Sequence, residues 1–503
     1  MNGAAIPCSS ARERIRRSPN VAQTILLGSA VAQLGLALLI TIYLARTLSP
    51  AAFGFFALIG TIFALARKFL DLGFSNVAAR DIAREPGRER PILESMMAYR
   101  RAVGVVLAIS LAVFAVLQKS TPERSILFAA ALVLLFTEPA ALDPVFQVRQ
   151  AQGGPALLNL FGGLLVLGGS VLFKRVGIAG AAFAWLLVLR EAITLLFTKF
   201  LAERLLGYRP LPGFRGRNLR AFMGPALVFG LASLVYTIYF HCDVFFVYAL
   251  RGRDELGAYA AAFRPINPLL LLPWLLMVPL IPVMSTTAAQ DVNRLVRQVR
   301  DACALALGIG SCGLVAGVVL APDLVQLLYK GNYLRGPLSS VNAFAWLAIA
   351  LAEVCVTTVL TAALLAAGKE KLLLAIGTGA LAVNAGMNLV LLRRFDFTAA
   401  AITTAATECI FLIAALLGFR IVTRCSALRW IDLGYLTPAL ALGAILSIIR
   451  YGPEVRVACG LVLGLIAVAA LLSTPRARRL RRELAEAHAD GIPRPSIAET
   501  AEA

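Results

Sequence analysis

Charged side chains stand inside long apolar runs of this chain, where each is costly to keep and therefore informative. Arg67, Lys68 and Asp71 close the run AAFGFFALIGTIFALA (51–66), and Gly73 follows directly. Arg264 lies about eight residues inside another run, flanked by Pro265 and Pro268. Arg190 and Glu191 stand side by side in a third. A guanidinium presents a planar fork of donors matched to phosphate oxygens, so a buried Arg suits an anionic ligand. Glu138, Asp143, Asp243, Glu353 and Glu408 also fall in apolar segments. A carboxyl there is a candidate for proton transfer or, joined with other oxygens, for holding Na⁺; any single one can equally be a satisfied contact between helices. Asp243 is the strongest of the five, because Tyr236, Tyr239 and His241 cluster beside it.

Each charge also has a plainer reading. Arg67 and Lys68 stand four and three residues before Asp71, so either can pair with it across one helical turn. Both can instead snorkel to the headgroups. Arg190–Glu191 reads as a structural pair between helices. Arg264, on a helix that its prolines would kink, reads as facing a cavity.

Membrane helices must position these groups. The chain has 503 residues, 59% hydrophobic and only 15% charged, with a mean hydropathy of +0.80. No soluble domain hides so much apolar surface, and runs of about 18 or more apolar residues recur throughout. The fold class is all-α and polytopic. Fourteen apolar segments bounded by charges run from 21–45 to 456–473. Lys and Arg concentrate in alternate loops, which places both termini in the cytoplasm. The net charge of +20 thus faces anionic headgroups in short loops and forms no basic domain for nucleic acid. The layout reads as a basic N-terminus (1–20), six helices (21–202), a Pro- and Gly-rich basic loop (203–218), six helices (219–424), two further helices (425–474) and a basic, then polar, tail (475–503).

The two six-helix blocks echo each other. LSPAAFGFFAL (48–58) stands before the second span and RDELGAYAAAF (253–263) before the eighth. Glu138 and Glu353 each lie fifteen residues before a glycine, Gly153 and Gly368. A duplicated unit is the simplest account, and such repeats enclose a site at their interface. Eight cysteines without CxxC spacing read as small core residues, and two histidines exclude a His-rich metal site. GxSxG, HExxH and a phosphate loop are lacking; LLAAGKEK (364–371) misses the first Gly and the Ser/Thr. With short outer loops as well, an enzyme is not expected.

IYLARTLSPAAFGFFAL followed by DLGFSNVAARDIAR resembles the opening of bacterial polysaccharide flippases, the Wzx-type branch of the multidrug/oligosaccharidyl-lipid/polysaccharide exporters. YFHCDVFFVYALRGRDELGAYAAAFRPI (239–266), APDLVQLLYKGNYLRG (321–336) and AVNAGMNLVLLRRFDFTAAAITTAATE (382–408) are similar to later stretches of that family. One departure is RRFDFTAAA, where the family usually has a Gly-containing turn. The resemblance implies two pseudo-symmetric six-helix lobes around a central cavity that opens alternately to each side. The implied cargo is an oligosaccharide on an undecaprenyl-type polyprenyl diphosphate, for O-antigen, capsule or exopolysaccharide synthesis at the bacterial inner membrane. On that basis Arg67, Lys68, Arg264 and Arg149 are expected to take the diphosphate headgroup. Asp243, Glu138, Glu353 and Glu408 are the candidates for H⁺ or Na⁺ coupling, with no cofactor or metal. Membrane lipids, a polysaccharide polymerase and other assembly proteins are the implied partners. The alternatives are a drug/cation antiporter of the same superfamily and, from a different class, a membrane glycosyl-transferring enzyme.

Overall fold

The computed structural model describes residues 19–118, 120–149, 151–177, 182–213, 216–270, 273, 277, 280–330 and 333–489. The basic N-terminus up to residue 18 and the polar end of the tail from 490 lie outside the described residues. All regular elements among those described are helices, and eleven are long and apolar enough to cross a membrane. The other three expected spans carry features that set them apart. The first is counted only over Ala32–Thr47, the sixth contains Arg190, Glu191 and Lys199, and the eighth passes after Ile266 into a 3₁₀ turn, Asn267–Leu270, that contains Pro268.

The chain forms two compact units, residues 1–40 with 66–230 and residues 41–65 with 231–503. The boundary falls inside helices α1 (Pro19–Thr47), α2 (Pro50–Asp71) and α9 (Gly216–Arg251).

The first unit adds α3 (Phe74–Arg84), α4 (Glu89–Val116), α5 (Thr121–Leu135), α6 (Asp143–Val148), α7 (Gly153–Arg175) and α8 (Ala182–Leu206). Helix α2 does not run through Gly73. It stops at Asp71, and Leu72 (φ 40°) and Gly73 (φ 75°) take left-handed conformations, which Gly accepts without a Cβ penalty. Helix α3 then leaves in a new direction as a short amphipathic element. It buries Phe74, Val77, Ala78 and Ile82 against Met96 and Met97 of α4 and Val145 and Phe146 of α6, and keeps Arg84 exposed.

The second unit adds α10 (Arg253–Ile266), α11 (Leu280–Gln290), α12 (Val292–Val319), α13 (Ala321–Tyr329), α14 (Val341–Ala366), α15 (Glu370–Leu391), α16 (Thr398–Thr423), α17 (Thr437–Ile448), α18 (Pro453–Leu472) and α19 (Pro475–Ala489). The echoing stretches 48–58 and 253–263 cross here backbone to backbone. A Cβ on Gly54 would stand 2.7 Å from the Gly257 nitrogen, and one on Gly257 would stand 3.1 Å from Pro50 Cα. Neither position has room for a side chain. Arg46 donates from Nε to the Leu328 carbonyl (2.6 Å) and from Nη2 to the Leu327 carbonyl (2.5 Å), covering the carbonyl end of α13. The departure at 393–401 turns without any left-handed residue: Thr398 N donates to Asp396 Oδ1 (2.9 Å) and Phe397 N to Glu255 Oε2 (2.9 Å). Asp396 and the distant Glu255 thus hold this turn by accepting from its backbone N–H groups. Helix α19 docks Ala477 and Leu480 into the core of this unit, and Arg476 pairs with buried Asp432 at 2.7 Å.

Candidate functional site

In the first unit, cations outnumber the carboxylates they meet. Arg67 Nη2 lies 3.4 Å from Glu191 Oε1, and Arg190 Nε reaches the same oxygen at 3.9 Å. Asp71 does not pair with Arg67, because the left-handed turn draws it elsewhere: it accepts from Arg100 Nη2 (2.5 Å), the Gly73 amide (3.2 Å) and the Ser75 hydroxyl. Lys68 is half-buried on the same turn. Glu138 stands in a 3₁₀ turn between α5 and α6. There it accepts from Arg101 (Nη2 2.7 Å, Nε 3.0 Å) and lies 3.2 Å from Lys199 Nζ. The acids are buried and the cations are not: side-chain exposure is 12% for Glu191 and 5% for Glu138, but 60% for Arg67 and 54% for Arg101. Each carboxylate anchors two cations, and the outer one keeps donors free for an anion. Arg149 is differently employed. Its Nη2 is bidentate to Glu89 (2.9 Å to each oxygen) and its Nη1 donates to the Leu205 carbonyl at 2.5 Å.

In the second unit, Arg264 stands without an acid. Its Nη2 donates to the Ala57 carbonyl at 3.3 Å, and no described residue forms an ion pair with it. The guanidinium lies over Gly60, where a Cβ would come within 2.8 Å of Nη2. His241 stands near it, with Nδ1 buried and unpaired among the described residues. The helix that carries Arg264 is held from behind: Tyr329 donates to the Ala261 carbonyl (2.8 Å) and Ser340 to the Ala258 carbonyl (2.7 Å). A cation in hydrocarbon without a fixed counter-charge is expensive.

Four helices then converge on Asp243, which is 4% exposed. It accepts from Asn388 Nδ2 (2.6 Å) of α15, Thr404 Oγ1 (2.6 Å) of α16 and Tyr259 (3.0 Å) of α10. Every one of those donors is neutral. Asn388 also donates to Asn384 Oδ1 (2.8 Å), and the Asn388 Oδ1 atom is buried with no partner among the described residues. Glu408 accepts from Tyr239 (2.8 Å). A cavity of about 20 Å³ touches Asp243, Asn384, Thr404 and Glu408, enough for one water-sized guest. Glu353 Oε2, on α14, is buried with no hydrogen-bond partner among the described residues. The seven described cysteines are free thiols.

Sequence reasoning reached Arg67, Arg264 and Asp243 but missed Arg101, Lys199, Asn384, Asn388, Thr404 and Tyr259. Arg101 and Lys199 look like boundary charges, although they turn onto one buried acid. The spacing NAGMN, with two amides one helical turn apart in an apolar span, is the overlooked signal for Asn384 and Asn388.

The family-model match places this bundle of apolar helices, with paired cations on one unit and a carboxylate beside a small cavity on the other, in the multidrug/oligosaccharidyl-lipid/polysaccharide superfamily of membrane transporters. The chain belongs to the polysaccharide biosynthesis protein family, whose model matches residues 22–288, just over half of its length. Solved structures share its fold. The lipid II flippase MurJ in an inward closed conformation is similar at 14% identity and a TM-score of 0.70, over 89% of this chain and 99% of that one. An inward-facing multidrug-resistance MATE transporter is similar at 17% identity and a TM-score of 0.59, over 78% and 94%. A Pyrococcus furiosus transporter of the superfamily, described as having a binding pocket of reverse polarity, is similar at 17% identity and 0.56, over 80% and 94%. No curated protein sequence matches the chain.

Proposed function

We propose that this protein is a flippase that carries a polyprenyl-diphosphate-linked oligosaccharide across the bacterial inner membrane, with both termini cytoplasmic. It would serve O-antigen, capsule or exopolysaccharide assembly and hand its cargo to a polymerase. The observation that carries the reading is Arg264, a membrane-embedded guanidinium with no acid partner among the described residues. A diphosphate supplies the missing charge, and the half-exposed guanidiniums of the first unit, Arg67 and Arg101, supply a second contact set, with Lys68 next to Arg67 in sequence. Arg149, held by Glu89, stays outside that set. Hydroxyls and phosphates in bare hydrocarbon cost several kcal/mol each, so the headgroup needs this polar path while the lipid tail stays in the bilayer.

The same proposal places ion coupling at Asp243. The oxygens of Asp243, Asn384, Asn388 and Thr404 fit a proton or a small hard cation such as Na⁺, and the unpaired Asn388 oxygen is the atom that such a guest would satisfy. A cavity of about 20 Å³ at that cluster is too small for a drug-sized cation, which disfavours the antiporter reading. The test is glycan translocation in a strain lacking the protein, complemented with Arg264→Ala. Membrane insertion at normal levels with translocation abolished is the expected result. Intact translocation would remove Arg264 from the site and the diphosphate with it.

A further inference from the structure

A groove of about 780 Å³ runs between α4, α5 and α8 of the first unit, and its lining residues take no part in that unit's ion pairs. Most of its wall is apolar, including Val105, Ile109 and Leu135, and its polar atoms gather at one end, at Arg124, Ser125 and Trp185. We propose that this groove holds one acyl chain of an anionic phospholipid, with the lipid phosphate on Arg124.

Three observations carry the assignment. The first is length. Arg124 to Leu135 is eleven residues of α5, roughly 16 Å of helix. That is about half of a hydrocarbon core ~30 Å thick. The groove therefore reaches one leaflet deep, which matches an acyl chain and not the far longer chain of a polyprenyl carrier. The second is the polar end. Trp185 donates from Nε1 to Ser125 Oγ at 3.0 Å, which fixes the indole where membrane-facing Trp sits at headgroup level. The third is charge. Arg124 Nη2 donates to the Gln118 carbonyl at 2.9 Å, and the guanidinium forms no ion pair among the described residues. Its remaining N–H groups are a fork suited to a phosphate. Glu123, one residue earlier, projects about 100° around the helix from Arg124 and does not share that direction.

The experiment uses the full-length protein in vesicles. Phosphatidylglycerol and phosphatidylcholine, each with a photoreactive group on one acyl chain, are crosslinked and the labelled peptides mapped by mass spectrometry. Phosphatidylglycerol is expected to label the 121–135 peptide more strongly than phosphatidylcholine. In Arg124→Ala that excess should fall about fivefold, the equivalent of ~1 kcal/mol for one basic residue at a headgroup. Ala112→Phe, which fills the groove without touching the cation, should remove labelling of that peptide by both lipids and leave other peptides labelled. Equal labelling by the two lipids, or unchanged labelling in Arg124→Ala, overturns the headgroup assignment. Labelling undiminished by Ala112→Phe overturns the groove. Preferential labelling by a photoreactive polyprenyl phosphate overturns the occupant.

Discussion

The candidate-site acids of the two units, Glu191 and Glu138 in the first and Asp243 in the second, keep different company. In the first, Glu191 and Glu138 each meet two cations, so their charge is cancelled and then exceeded by side chains that reach outward. In the second, Asp243 meets an amide, two hydroxyls and the Cys242 thiol, while Arg264 meets no acid among the described residues. The pairing that could have joined Asp243 to Arg264 has not been made. A cancelled acid is an anchor, and its worth is geometric. An acid ringed by neutral donors can gain or lose a proton or a cation, and an unpaired guanidinium can gain or lose an anion. On the proposed reading, the positive surplus of the first unit takes the anionic headgroup and Asp243 takes the coupling cation.

Asp243→Asn should have the largest consequence. The amide keeps the shape and loses the charge, so translocation should stop responding to a Na⁺ or H⁺ gradient. A coupling of ordinary size corresponds to about 5–150-fold in rate. Glu191→Gln is the counterpart: transport assayed in vesicles with imposed gradients should keep its ion response and change only in its dependence on substrate. If the two variants behave alike, the contrast between the units is wrong.

Glu138→Gln comes next and acts on stability. Removing one partner of a buried pair leaves desolvated charge behind, and with Arg101 half-exposed the cost should be about 2 kcal/mol, below the figure for fully buried pairs. A lower midpoint in thermal unfolding in detergent, with Arg101→Ala in the same background adding little, would establish that the two act as one unit. Gly60→Ala should follow. The new methyl would push Arg264 Nη2 off its place, and a tenfold loss of translocation, ~1.4 kcal/mol, is expected with the fold intact.

The sequence alone carried the class, because apolar runs of about twenty residues have few other uses. Arg264 and Asp243 were legible for the same reason: a charge in such a run has to be explained. The crossing at Gly54 and Gly257 was half-legible, since the repeat exposed both stretches but not their contact. What stayed hidden was partnership. Nothing in ARKFLDLGFS shows that the helix stops at Asp71, and that stop hands Asp71 to Arg100 and Arg67 to Glu191, 124 residues away in sequence. Neutral donors were hidden too. Asn, Thr and Tyr inside a span are cheap enough to pass without notice, and only convergence on one carboxylate makes Asn388, Thr404 and Tyr259 a set.

Arg149 offers the mildest test and separates charge from geometry. Its fork holds both oxygens of Glu89 and the Leu205 carbonyl, so α4, α6 and α8 meet through one guanidinium. Lysine preserves the charge but cannot make the bidentate pair and the carbonyl bond together. Arg149→Lys should therefore lower the unfolding midpoint by the equivalent of about 1 kcal/mol, because the site is partly exposed and solvent screens the pair. Translocation should remain near the parent rate once protein levels are matched. Were Arg149 a headgroup ligand, the result would invert: stability would hold and transport would fall with substrate concentration. That inversion would move the first unit's positive surplus from the Arg67–Arg101 side to the α6 end, and the anchoring role of its acids would have to be extended to Glu89.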